Sequence, residues 1–435
     1  MTVMKKCLLR IAIVSVVLCL PTISCTKHGA NKPIRVQDYQ GTIRVACVGD
    51  SITYGHGIKN RLKASYPAQL GRMLGDQWEV RNFGVSAATM LRQGDLPYWK
   101  QSAFKEVLAY NPHVVIIKLG TNDTKPQNWT FKDEFARDYL DMIDRFSALP
   151  ARPRIWICYP VPAFAEQWGI NEFVIKNEVI PIISQVARKA RVPIINLYQP
   201  LSGKPKYFPD DIHPNAEGAF LIAKEMYATL TGTQFMGVYK EPPLPQVLII
   251  GDSISIGYFK PTQTLLEGKA AVVHNPGNAA HTANGLQKLT QWLGDTRWEV
   301  IHFNHGLHDL KYIDEKGKNI SAEKGRQQIP MEDYEINLEA LVTRMKATGA
   351  TLIFATTTPV PDGTGFRVKG DAEKYNRVAL KVMTNHGIAI NDLYSFALER
   401  LGDIQRPKNV HFTPEGSEQL AEQVANSILK ALEER

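Results

Sequence analysis

The chain has 435 residues, of which 44% are apolar and 22% charged. That is enough apolar material for two cores, and it excludes a disordered or low-complexity protein. The formal charge of +8 is not gathered into basic runs with interleaved aromatics, so no nucleic-acid partner is expected.

The chain opens on Lys5 and Lys6, followed by an apolar run from Ile11 to Leu20. The run is too short to span a bilayer and fits the apolar region of a secretory signal. Thr22-Ile23-Ser24-Cys25 comes next. It resembles the lipobox of bacterial lipoproteins, with Thr22 where leucine is usual. The resemblance implies a signal over residues 1–24, a lipid on Cys25 and a tether over 25–42. It also implies export to the cell envelope, in the periplasm or at the outer membrane. The membrane would then be met only through the lipid anchor. A simple cleaved signal is the alternative, and it too implies export. Cys7 and Cys19 would leave with the signal. Cys47 and Cys158 fall in predicted buried strands and read as core thiols rather than a disulfide.

Strands and helices then alternate over residues 43–232. Strands are predicted at Val45–Val48, Trp78–Phe83, His113–Leu119, Arg154–Tyr159 and Pro193–Leu197. Helical patterns lie at Pro67–Leu74, Ser102–Tyr110, Phe131–Phe146 and Glu172–Ala190, with one more from Pro214 to about Leu230. A βαβ series of this kind predicts a parallel sheet with helices on both faces. Residues 233–245 end in Glu241-Pro242-Pro243-Leu244-Pro245, a stiff linker. The series restarts over 246–435. Strands are predicted at Val247–Ile250, Ala271–His274, Glu299–Asn304, Thr351–Ala355 and Ile388–Asn391, and a last helix runs from Pro414 to about Leu432.

Each half carries Gly-Asp-Ser directly after its first strand, at Gly49-Asp50-Ser51 and Gly251-Asp252-Ser253. The pairs Ser51 and Ser253, Gly84 and Gly277, Asp123 and Asp309, and His213 and His411 are separated by 202, 193, 186 and 198 residues, a near-constant offset. One domain per half, arising by duplication, follows. A serine nucleophile needs a base, an orienter for the base and donors for an oxyanion. In the first half these come in order. Gly84 ends the second strand in Asn82-Phe83-Gly84, where a backbone N–H can approach a substrate. Asn122 follows the third strand in Gly120-Thr121-Asn122-Asp123. Asp210 stands three residues before His213, close enough for one turn to join them.

These four blocks resemble those of the SGNH hydrolases, the GDSL esterase/lipase superfamily. The resemblance implies two tandem flavodoxin-like α/β domains. It implies Ser51 as nucleophile, His213 as general base, and Asp210 as its orienter. The oxyanion hole would come from Ser51, Gly84 and Asn122, with no metal and no cofactor. The text around Ser51, with Ser65-Tyr66-Pro67 and Lys118-Leu119-Gly120-Thr121-Asn122-Asp123, looks like bacterial sialate O-acetylesterases and acetylxylan esterases. That implies an acetylated carbohydrate as substrate. A lysophospholipase or short-chain lipase with the same triad is the alternative. The sequence leaves the oligomeric state open. Trp129 is a candidate for sugar stacking, with buried packing as the other reading.

The second half matches in part. Ser253, Gly277 and His411 are in place, and His308 stands where the superfamily has its asparagine. Lys408 occupies the position of the orienting aspartate. Three readings stay open: a Ser253–His411 dyad, a noncatalytic glycan-binding module, and a metal site formed by His302, His305 and His308. His274 and His281 flank the Gly277 loop and are possible pocket residues.

Overall fold

The computed structural model describes residues 32–434. The expected signal and the Cys25 lipidation site lie outside these residues. The first sheet consists of β1 (Ile43–Gly49), β2 (Trp78–Gly84), β3 (Val114–Lys118), β4 (Arg154–Cys158) and β5 (Ile194–Ile195). All strands pair in parallel, in the order β2-β1-β3-β4-β5. Alternate residues of β1 serve opposite faces, as the two-residue period of a strand requires. Val45 and Cys47 join Tyr66, Leu70, Ala219 and Ile222 in one core. Ala46 and Val48 join Val107, Tyr139 and Ile183 in the other. Both sheet faces are thereby covered by helices.

The second sheet repeats this plan with β6 (Gln246–Ile250), β7 (Ala271–His274) and β8 (Val300–Phe303). A short antiparallel ladder of β9 (Tyr312–Ile313) and β10 (Arg326–Gln327) interrupts it. β11 (Thr351–Ala355) and β12 (Ala389–Asn391) complete it. The order β7-β6-β8-β11-β12 is the order of the first sheet, element for element. Parallel pairing puts every strand's carboxyl end on one edge of its sheet, where sites form.

Three expectations are corrected. The tether does not run free to residue 42: Ile34 is buried in the first core and its N–H donates to Leu230 O at 2.7 Å. The single helix predicted over Glu172–Ala190 is broken into Glu172–Val174, a π turn at Ile175–Val179, and Ile180–Ala190. Pro181 explains this, because it has no N–H to give the preceding turn and its ring crowds the carbonyl four residues back. The strand predicted over Pro193–Leu197 shrinks to two residues. Cys47 and Cys158 are free and buried, and burial pushes both thiols up, away from reactivity.

The halves touch through the segment between Ser51 and Tyr66. Asn60 Nδ2 donates to Pro242 O of the linker at 2.9 Å, and Lys63 Nζ lies 2.8 Å from Glu299 Oε1 in the second half. Arg61 pairs with Glu433.

Candidate active site

β1 ends at Gly49 and the chain turns directly into the short helix Ser51–Tyr54. Asp50 caps it, its Oδ1 accepting from Ile52 N–H at 3.0 Å. A side chain at Gly49 would put its Cβ 2.0 Å from Thr53 Oγ1, so the turn closes only over glycine. Lys118, at the end of β3, is fully buried against Asp50, with Nζ 3.0 and 2.9 Å from the two carboxylate oxygens. The same ammonium donates to Thr121 Oγ1 at 2.9 Å. One buried cation therefore joins the serine turn to the third block. Nothing in the four blocks themselves assigns Lys118 this role.

Ser51 Oγ lies 2.8 Å from His213 Nε2, and His213 Nδ1 lies 2.8 Å from Asp210 Oδ2. The other carboxylate oxygen, Oδ1, accepts from the backbone N–H groups of His213 (2.7 Å) and Ile212 (3.1 Å). Asp211, at φ 65, makes the turn that allows this. Burial works to raise the Asp210 carboxyl, but the hydrogen bonds from His213 and Ile212 outweigh it and hold the group below its usual range. An ionised Asp210 can only accept, so the ring proton sits on Nδ1 and Nε2 is left to accept from Ser51. Burial pushes the His213 imidazolium down. The Asp210 hydrogen bond and charge offset this in part, and the net direction is down. At neutral pH the ring is a free base.

The oxyanion donors differ from expectation. Gly84 N–H is already given to Asn82 Oδ1 at 2.9 Å. Gly84 is glycine for another reason: a Cβ there would sit 2.2 Å from Tyr54 N. Its place is against the serine helix. Asn122 is buried beside the loop after β2 and donates from Nδ2 to Ala88 O at 3.2 Å, which leaves its second amide N–H for another acceptor. In that same loop Ala87 is held at φ 64, a left-handed conformation costly for alanine. Asp123 fixes the loop by accepting from Met90 N–H at 3.0 Å and Leu91 N–H at 2.8 Å.

Two aromatic rings at the site went unread in the sequence. Trp168, 58% exposed, packs against the His213 ring at 5.5 Å between centroids. Its backbone lies at φ 52, beside Gly169 at φ 78. His56 covers His213 from another side at 4.5 Å. Trp129, in contrast, is buried and donates from Nε1 to Glu178 at 2.9 Å, so it packs and does not face substrate.

Residues 47–219 match the profile of the GDSL-like lipase/acylhydrolase family. A relative from Xylanibacter ruminicola, named acetylxylan esterase, is 45% identical over 209 residues. That match covers 44% of this chain and 44% of the relative, so the chain spans less than half the length of the relative it matches. An acetyl xylan esterase of known structure is 14% identical, with a TM-score of 0.35, over 42% of this chain and 99% of its own. A carbohydrate acetylesterase from Sinorhizobium meliloti is 18% identical, with a TM-score of 0.38, over 43% of this chain and 98% of its own.

Outside the GDSL-like stretch, the second half brings together a related set. Ser253 Oγ lies 2.9 Å from His411 Nε2. The orienting position is not filled by Lys408, which is exposed at φ 53 with its stem against Gly363. Asn409, one residue on, takes it: its Oδ1 lies 2.7 Å from His411 Nδ1 and accepts from His411 N–H at 3.0 Å. Asp252 caps the serine helix through Ile254 N–H at 2.9 Å, as Asp50 does. Asn304 stands where Lys118 would be and donates to Ala355 O, so Asp252 Oδ2 is left without a partner. Burial raises the Asp252 carboxyl, and only the nearby Arg367 and His411 charges work against it along with its backbone hydrogen bonds.

The other second-half candidates divide. His308 is half-buried, and burial, with Lys311 and Arg367 beside it, lowers its ring to about 3, so it is neutral near pH 7. Gly277 is exposed at φ 68, and its carbonyl accepts from Asn275 Nδ2. Ala280 at φ 55 repeats the left-handed alanine of the first half, and its N–H donates to Asn278 Oδ1 at 2.8 Å. The expected metal reading fails. Among the described residues, His302, His305 and His308 do not bring their ring nitrogens within reach of one ion. His302 pairs with Asn391, and His305 Nδ1 lies 3.1 Å from Ala280 O. His274 lies 2.7 Å from both Ser255 Oγ and Asn275 O, and His281 caps a helix through Asn284 N–H. Both are structural.

Proposed function

We propose that the first half is a serine carboxylic ester hydrolase that removes acetyl groups from carbohydrates. The observation that carries this is the unbroken relay from Ser51 Oγ through His213 to Asp210, at 2.8 Å on each side. Ser51 Oγ attacks the acetyl carbonyl as its proton passes to His213 Nε2. The tetrahedral oxyanion is stabilised by Ser51 N–H and the free amide N–H of Asn122, with the loop that holds Ala87 as the remaining source of a donor in place of Gly84. Collapse expels the sugar alkoxide, which takes the proton back from His213. Water then repeats the cycle and acetate leaves. No step calls for a metal or cofactor.

Two observations favour a carbohydrate over a lipid. The 45% identical relative is named an acetylxylan esterase. The exposed Trp168 ring beside His213 offers a flat face for a sugar ring. The test is acetate release from acetylated xylan against fatty-acid release from long-chain esters, with Ser253→Ala as the parent chain. Ser51→Ala in that parent should abolish release. Fatty acid as the main product would sink the acetyl reading.

We further propose an exported lipoprotein anchored through Cys25, supported by Thr22-Ile23-Ser24-Cys25 after an apolar run. Metabolic labelling with a fatty acid, lost in Cys25→Ser, is the expected result.

A further inference from the structure

We propose that the second half is a second, independent ester hydrolase site for small acyl esters, with Ser253 as nucleophile, His411 as base and Asn409 as positioning residue. The argument turns on which atom of Asn409 faces the ring. The backbone N–H of His411 can only donate, so the Asn409 atom 3.0 Å from it is the oxygen and not the nitrogen. That same Oδ1 lies 2.7 Å from His411 Nδ1. The ring must then donate from Nδ1, and Nε2 is bare. The bare nitrogen is the one 2.9 Å from Ser253 Oγ. A neutral amide thus sets the productive tautomer without a carboxylate.

Lys408, the apparent block, is not in the relay, because its side chain lies in solvent and the turn at φ 53 carries Asn409 inward instead. Ser253 and His411 are both half-buried, open enough to meet a substrate. His308, half-buried, holds the position in the third block that Asn122 holds in the first half, and its ring carries one N–H. The step balances as in the first site. The Ser253 proton moves to His411 Nε2 as the Oγ–carbonyl bond forms. The alcohol leaves with that proton, and water releases the acid. What differs is the charge: an amide stabilises the transient imidazolium less than a carboxylate does, so this site turns over more slowly.

The experiment uses the full chain with Ser51→Ala, so it does not depend on the first site. An aryl acetate is the substrate, and a fluorophosphonate is the active-serine probe, with the adduct mapped by mass spectrometry. Turnover above the uncatalysed rate and an adduct on Ser253 are expected. Both should vanish in Ser51→Ala/Ser253→Ala. Asn409→Ala should lower kcat on the order of 100-fold with little change in KM, and Asn409→Asp should restore it. A folded Ser51→Ala chain, checked by circular dichroism, that gives neither adduct nor Ser253-dependent turnover would overturn the proposal. So would equal activity in Asn409→Ala and Asn409→Asp. Activity of the Ser253→Ala chain is read separately and reports only on the first site.

Discussion

Asparagine works as orienter in one half, yet it should fail in the other. Asp210 divides its tasks between two oxygens: Oδ1 takes the backbone N–H groups of His213 and Ile212, and Oδ2 takes the ring. In Asp210→Asn one of these atoms becomes an NH2. If the oxygen stays on the two backbone donors, the NH2 faces His213 Nδ1, the ring proton moves to Nε2, and Ser51 loses its base. If the amide flips, two backbone N–H groups face a donor. Each lost hydrogen bond costs about 0.5–1.5 kcal/mol, so the flipped form lies about 1–3 kcal/mol above the other, toward the upper end because both N–H groups then face a donor. Only about one molecule in a hundred then holds the working tautomer, and that fraction also lacks the carboxylate's charge. Together the losses should reach about 10⁴-fold in kcat, or about 5.5 kcal/mol at 1.36 kcal/mol per decade. The assay is aryl acetate hydrolysis by Asp210→Asn in the Ser253→Ala chain, with fold checked by circular dichroism. Retention of more than a tenth of the parent rate would refute the tautomer argument, and with it the reason for placing Asn409 one residue closer to its histidine.

Other outcomes follow from the same geometry. Because burial holds the His213 imidazolium below its usual 6.5, and only the neutral ring can accept from Ser51, kcat/KM of the first site should decline as pH falls, through a midpoint below 6.5; a midpoint at or above 6.5 would count against this. Lys118→Met strands the buried Asp50 charge and should cost about 3–5 kcal/mol, lowering the first half's unfolding midpoint on the order of 10 °C by calorimetry. Gly84→Ala would drive a methyl group into Tyr54 N at 2.2 Å, so kcat should fall through displacement of the Ser51 helix even though Gly84 N–H is no oxyanion donor. Trp168→Ala should leave aryl acetate turnover unchanged and raise KM for acetylated xylan about 5-fold, as loss of about 1 kcal/mol of ring packing implies.

The fold was legible because buried parallel strands leave apolar, β-branched runs such as Ile43–Val48 and Val247–Ile250, each ended by a turn signal. The relay was legible wherever the spacing was standard: Ser51, Asp210 and His213 meet as read. It was misread where geometry shifted by one residue. Lys408 matched the expected spacing from His411, but the left-handed turn at that residue presents its neighbour Asn409 instead. Gly84 was assigned a donor role from its place in a motif, while the side chain of Asn82 already takes that N–H. Lys118 carried a signal, a lysine in an otherwise apolar strand, which asks for a buried partner. Trp168 carried none, since an irregular loop has no period to reveal which way a ring faces.

The segment between Ser51 and Tyr66 serves two masters. At one end it holds His56 over the His213 ring, and further along it is pinned to the linker by Asn60 and to the other half by Arg61 and Lys63. One side of the Ser51–His213 site is therefore braced from outside its own domain. A chain ended ahead of Pro242 would keep every residue of the Ser51 relay and still lose that brace. Its site would have the right chemistry in a looser frame, with substrate grip suffering before bond cleavage does. The pairing of two α/β bodies in one chain then has a mechanical use that is independent of how many of them react.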